Sequence, residues 1–127
     1  MANYHILLAD DEAALRFLLT ETLADEGYDI TEAEDGQGAL DHLQAKRFDL
    51  IILDYMMPER TGVEVCEWLR SHENPNRKTP VILLTAKALE KDRERAKAAG
   101  VTQYIVKPFS PLQLLDTVGD LIGDSEK

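Results

Sequence analysis

The succession of apolar and amphipathic segments predicts an α/β fold, a doubly wound five-stranded parallel sheet built from five βα units. Three observations carry that prediction. Five short apolar runs alternate strictly with five stretches of helical period, and such alternation means a parallel sheet with helices on both faces. The first, third and fourth runs are apolar throughout, whereas the second and fifth are interrupted by polar residues, which separates central strands from edges. Polar residues able to do chemistry stand where these runs end, the place where open α/β sheets bind ligands.

Ile6-Leu7-Leu8-Ala9 is the first run and ends at Asp10-Asp11. From Ala13 the period changes, with Leu15, Leu18, Leu19, Thr22 and Leu23 at helical spacing and Gly27 placed to close the helix in a left-handed turn. Asp29 to Ala33 alternates polar and apolar residues, and Asp35-Gly36 then leads into a helix with Ala39, Leu40 and Leu43 inward. Leu50-Ile51-Ile52-Leu53 has no polar face and delivers a single acid, Asp54, before Tyr55-Met56-Met57-Pro58. Asp54 alone also fits a residue that merely starts a turn. The third helix carries Val65, Cys66 and Leu69 inside, with Trp68 on its flank. Val81 to Leu84 ends at Thr85, and a charged helix runs from Glu90 to Lys97 and stops at Gly100. Gln103 to Val106 precedes Lys107-Pro108, and the last helix turns Leu114, Leu115, Val118, Leu121 and Ile122 to one side. Residues 1–123 read as one domain and 124–127 as a polar tail or the start of a linker. Placing the continuous runs centrally gives the order 2-1-3-4-5, whose switch point lies between strands one and three.

The totals narrow the function. At 127 residues the chain is one ordinary domain, able to bury roughly two-thirds of its unfolded surface. A net charge of −10 argues against nucleic acid and against anionic membrane surfaces as partners. No apolar run approaches the ~20 residues of a membrane span, and the first residues lack the regions of a signal peptide. The cytoplasm is the expected compartment. The one cysteine, Cys66, sits in an apolar helical pattern and reads as core rather than nucleophile. His5, His42 and His72 share no metal-ligand spacing.

The predicted strand order gathers Asp10, Asp11, Asp54, Thr85 and Lys107 in one crevice. Three carboxylates there repel one another and call for positive charge. Mg²⁺, which takes one or two carboxylates plus waters and phosphate oxygens, fits that need. A hydroxyl and an ammonium beside it suit a tetrahedral anion. The residues thus point to a Mg²⁺-dependent phosphoryl site with one carboxylate as nucleophile.

At the same positions the chain resembles the response-regulator receiver domains of two-component signalling, a CheY-like, flavodoxin-like fold. The resemblance runs from about Tyr4 to about Gly123. It rests on Asp10-Asp11, Asp54-x-x-Met57-Pro58, Thr85-Ala86 and Lys107-Pro108-Phe109, each short but jointly specific. The 2-1-3-4-5 order is the family's own and adds no independent support. The resemblance implies that Asp54 accepts a phosphoryl group from a sensor histidine kinase or a histidine phosphotransfer protein. It implies Mg²⁺, or Mn²⁺ in its place, held by Asp11, Asp54, the backbone carbonyl of Met56 and, through water, Asp10. Lys107, Thr85 and the Ala86 backbone would contact the phosphoryl group, and Pro108 would follow a cis peptide bond.

Thr85 and Tyr104 would form the family's switch pair, changing the surface of helix four, strand five and helix five for a downstream effector. Thr85 also fits a helix N-cap and Tyr104 an edge-strand aromatic. The domain would catalyse only its own phosphorylation and dephosphorylation, as a monomer or as a dimer formed on phosphorylation.

Two departures stand out. Thr61 precedes Gly62 where many members have an acid, and Thr can still cap the helix. The resemblance implies that Met56 and Lys87 flank the path of the hydrolytic water, where an apolar side chain and a long cation have no obvious way to position it, so slow autodephosphorylation is expected. Phe17 lies opposite the buried stripe of helix one and is a candidate for kinase docking. Three other readings compete. A haloacid-dehalogenase-type phosphatase needs a second acid where Met56 stands. An FMN protein needs a Ser/Thr/Gly-rich loop where Asp10-Asp11-Glu12 stands. An unphosphorylated docking module with a degenerate receiver role needs neither.

Overall fold

The computed structural model describes residues 4–86 and 90–125, with side chains described as far as Ile122. Strands and helices alternate through β1 (His5–Ala9), α1 (Ala13–Asp25), β2 (Asp29–Ala33), α2 (Gly36–Ala45) and β3 (Leu50–Asp54). They continue through α3 (Gly62–Ser71), β4 (Val81–Thr85), α4 (Glu90–Ala98), β5 (Gln103–Val106) and α5 (Pro111–Ser125). The sheet is parallel throughout, in the order β2-β1-β3-β4-β5. Helix α5 continues two residues into the stretch 124–127.

Strand alternation divides the core into two layers. Leu7, Ala9, Ile51, Leu53, Val81 and Leu83 face α2, α3 and α4, meeting Leu40, Leu43, Val65, Cys66, Leu69 and Ala96. Ile6, Leu8, Leu50, Ile52, Ile82, Leu84 and Ile105 face α1 and α5, meeting Leu19, Leu23, Leu114, Val118 and Ile122. Every residue of β3 and β4 is buried, whereas β2 and β5 are partly exposed. The interrupted runs are therefore the edges.

Local chemistry sets the element ends. Asp35 accepts from the Gly38 N–H to cap α2, and Thr61 and Glu64 exchange hydrogen bonds as a capping box on α3. Gly27 and Gly100, at φ of +90° and +95°, close α1 and α4 in the left-handed turn that costs glycine nothing. One inward assignment fails. Leu18 is 48% exposed, next to Phe17 at 68%. The sheet-facing stripe of α1 is Leu15, Leu19 and Leu23, and Leu18 lies about 100° round the helix from Leu19.

At the opposite end of the sheet from the acids, fully buried Asn76 ties three segments together. Its side-chain oxygen accepts from the Phe48 N–H at 2.7 Å, and its amide nitrogen donates to the carbonyls of Leu43 and Lys46, both at 2.7 Å. Asn76→Ala removes this partner from the buried Phe48 N–H and Leu43 carbonyl and is expected to cost about 2–3 kcal/mol in urea unfolding. A cost below about 0.5 kcal/mol, the range of a neutral surface change, would contradict this account of the loop.

Candidate functional site

Register alone brings the acids together. Ala9 pairs with Leu53, so the next step along β1 and β3 sets Asp10 beside Asp54. Asp54 pairs with Leu84 and Thr85 pairs with Val106, which places Thr85 and Lys107 one step further across the sheet. The Lys107 N–H donates to the Thr85 carbonyl at 2.7 Å and fixes the last of these steps. Alternation then sorts the side chains by face. Asp10, Asp54 and Lys107 share the parity of the residues facing α1 and α5. Thr85 and Tyr104 share that of the residues facing α4.

Ligand oxygens of Asp10, Asp11 and Asp54 lie within 4.8 Å of one another. The Lys107 ammonium stands 3.1 Å from Asp54 Oδ1 and 3.7 Å from Asp10 Oδ2. Asp10 is wholly buried; its Oδ1 accepts the Glu12 N–H at 2.9 Å, while its Oδ2 accepts no hydrogen bond among the described residues. A groove of about 290 Å³ opens over the cluster, lined by Asp11, Glu12, Asp54, Tyr55, Met56, Thr85, Ala86 and Lys107. Three carboxylates thus face one ammonium, and a buried carboxylate oxygen is left without a donor. A hard divalent cation fits that donor set and that charge deficit.

The same crowding moves the protonation equilibria. Burial is the largest influence on Asp54, with the Asp10 charge next. Together they outweigh the Lys107 hydrogen bond and push the carboxyl from an ordinary 3.8 up to about 6. Burial lowers the Lys107 ammonium, but its bond to Asp54 and the charges of Asp54, Asp10 and Glu12 more than offset this, and the net shift is upward.

The remaining candidates fall around this centre. The Met56 side chain is 61% exposed at the groove, and Ala86 is exposed at its rim. Thr85 is buried. Tyr104 is half-buried under the Arg93 guanidinium, 5.1 Å from the ring centre. The Lys107–Pro108 bond is cis. Phe17 is exposed on α1 and does not line the groove. Lys87 lies outside the described residues. No histidine joins a metal-holding group among the described residues, and burial pushes the Cys66 thiol up to about 11, far from a reactive thiolate.

Two contributors escape a reading of motifs. Glu12 lines the groove beside the acid pair. Arg16 donates to the Asp10 carbonyl from behind it. The available signal for Arg16 is that it is the sole basic residue of α1.

Comparison with known proteins settles the family. Residues 6–119 match the response regulator receiver domain. The chain belongs to that family. The transcriptional regulatory protein ResD of Bacillus subtilis is 44% identical over 117 residues, which cover 92% of this chain and 47% of ResD. The transcriptional regulatory protein SrrA of Staphylococcus aureus is 40% identical, over 96% of this chain and 48% of its own length. The chain therefore spans about half the length of these curated relatives. Among solved structures, the chemotaxis response regulator CheY4 of Vibrio cholerae superposes with a TM-score of 0.88 at 36% identity, covering 94% of this chain and 99% of its own. The receiver domain of sensor histidine kinase PA1611 from Pseudomonas aeruginosa superposes at 0.86 with 34% identity, over 96% and 99%. That neighbour holds a magnesium ion coordinated in its active site cleft. Receiver membership displaces the phosphatase and FMN readings, and nothing favours the degenerate one.

The raised Asp54 carboxyl has a defined effect on stability. Between about pH 4 and pH 6 the folded protein binds the proton more tightly than the unfolded chain, so this group's contribution falls as pH rises through that window. In metal-free buffer, Asp54→Asn is expected to match wild type near pH 4 and to exceed it by on the order of 2 kcal/mol near pH 7. Urea unfolding of both proteins across that range checks this; a gap that does not change with pH contradicts it.

Proposed function

We propose that this receiver takes a phosphoryl group from a phosphohistidine onto Asp54, in a sensor histidine kinase or a histidine phosphotransfer protein. The observation that carries this reading is the buried Asp54 carboxylate held 3.1 Å from Lys107 with two further acids beside it. A carboxylate oxygen of Asp54 attacks phosphorus, the N–P bond breaks, and an acyl phosphate forms as the imidazole leaves. Asp11 and Asp54 would hold Mg²⁺ through their side chains, Met56 through its backbone carbonyl and Asp10 through water, and Mn²⁺ would serve in its place. When bound, the ion offsets the charge of the transferring phosphoryl oxygens. Lys107, now paired with Asp54, turns to a phosphoryl oxygen, and the Thr85 hydroxyl and the Ala86 backbone take others.

The switch follows from packing. The gap lined by Thr85, Tyr104, Tyr55, Leu83, Asp92, Arg93 and Ala96 measures about 10 Å³, roughly one water. The Tyr104 ring cannot enter until Thr85 moves toward the phosphoryl group. That exchange of two packings changes the face of α4, β5 and α5 that meets a downstream partner. Nucleic acid and membrane are not partners of this acidic domain. It works in the cytoplasm, as a monomer or as a dimer formed on phosphorylation, and catalyses only its own phosphorylation and dephosphorylation. Residues 1–123 constitute the receiver and 124–127 its tail or the start of a linker. Exposed Met56 offers the hydrolytic water no hydrogen bond, and with Lys87 it makes the phosphorylated form long-lived. Exposed Phe17 contributes to donor docking.

One assay tests these roles. Incubation with Mg²⁺ and acetyl phosphate is expected to give a lasting acyl phosphate by mass spectrometry, absent in Asp54→Asn and altered in lifetime in Met56→Asn. Phe17→Ala should accept from acetyl phosphate at the wild-type rate but more slowly from a phosphorylated kinase. Multiple turnover would indicate a phosphatase, no modification a docking module, and retained labelling of Asp54→Asn another acceptor.

A further inference from the structure

Arg16 reaches the acidic cluster from the side away from the groove. Its Nη1 donates to the Asp10 carbonyl at 2.7 Å, and its Nε donates to Glu32 Oε1 of β2 at 3.1 Å. The side chain is only 17% exposed, and the bond to the carbonyl is short and charge-assisted. The Asp10 carbonyl belongs to the planar peptide unit that ends at the Asp11 nitrogen. Holding that oxygen therefore restrains the torsions on both sides of the unit, ψ of Asp10 and φ of Asp11, and with them the directions in which the two side chains leave the backbone. The other backbone side of Asp10 is pinned as well, by its N–H donating to the Ala33 carbonyl at 3.1 Å. On the groove side the Glu12 N–H donates to Asp10 Oδ1 at 2.9 Å, while the Glu12 side chain makes no cap bond at the start of α1.

We propose that Arg16 is a positioning residue for the cation site. Braced on Glu32, it holds the Asp10–Asp11 peptide so that the two carboxylates converge with Asp54. This rests on the reading that these acids bind a divalent cation. The guanidinium fork is needed because its two nitrogens meet partners on two different elements; a lysine ammonium keeps the charge but not that geometry.

Charge and position predict opposite signs, which makes the role testable. Removing a cation beside an acidic site should by charge alone tighten Mg²⁺ binding, whereas loss of alignment should weaken it. Calorimetric titration of Mg²⁺ into the whole chain is expected to show Arg16→Gln weakened by about tenfold, as for other groups that orient ligands from behind. Arg16→Lys should fall between that variant and wild type, and Glu32→Gln should be weakened by less. In metal-free protein, exchange of the Glu12 amide, whose hydrogen bond to Asp10 Oδ1 reports the alignment, should be faster in Arg16→Gln. Binding by Arg16→Gln as tight as wild type or tighter, with only a lower melting temperature, overturns the proposal and leaves the cation site standing. If Arg16→Gln does not fold, wild-type affinity in both Arg16→Lys and Glu32→Gln overturns it equally. No Mg²⁺ binding by wild type overturns the cation site and the proposal together.

Discussion

The Lys107 ammonium lies between two carboxylates it cannot serve equally, 3.1 Å from Asp54 and 3.7 Å from Asp10, with Asp11 completing a triad. Two of the three acids are buried, where like charges are poorly screened and unpaired lone pairs are costly. One ammonium against three carboxylates leaves the cluster short of positive charge. Burial first, and that shortage second, lift the Asp54 carboxyl, and Asp10 Oδ2 is without a hydrogen-bond donor among the described residues. The shortage is also what makes a divalent cation welcome. In the proposed reaction a phosphoryl group on Asp54 would bring new negative charge, and the same deficit would turn Lys107 to the modified acceptor.

The fold pays for this crowding by burying everything behind it. β1 and β3 are packed on both faces, so their ends cannot drift apart, and their register sets Asp10 beside Asp54. The loops that follow are held by close backbone approaches. A Cβ on Gly62 would collide with the Asp54 carbonyl oxygen, and one on Gly36 with the Arg60 carbonyl oxygen. Glycine at these two points lets α3 and the start of α2 pack directly on the loop that carries Met56. Thr85 and Tyr104 lie on the face of the sheet that α4 covers, with Tyr104 under the Arg93 guanidinium, which is what the proposed switch requires.

Apolar continuity made most of this legible in the amino-acid sequence. Runs such as Leu50–Leu53 and Val81–Leu84 have no polar face, which identifies central strands; the acids and the hydroxyl stand directly after such runs, and the ammonium directly after the edge run Gln103–Val106. Leu18 was misplaced because helical spacing does not say how wide a buried stripe is; the sheet covers Leu15, Leu19 and Leu23 and no more. Arg16 and Asn76 were invisible for a different reason. Asn76 meets the Leu43 carbonyl and the Phe48 N–H, both distant in the chain, Arg16 meets the Asp10 carbonyl six residues before it, and a backbone group leaves no mark on residue type. The family resemblance supplied the roles of Thr85 and Tyr104, which neither period nor composition distinguishes from a cap and an edge aromatic.

The central claim is that Asp54 shares its site with more negative charge than Lys107 can balance, and that a divalent cation relieves this. Calorimetric titration of Mg²⁺ near pH 6, repeated in two buffers of different ionisation enthalpy, measures the protons displaced as the ion binds. With the Asp54 carboxyl at about 6, about half a proton should be released per ion near pH 6 and almost none near pH 8. A binding heat near pH 6 that does not depend on the buffer would contradict the account.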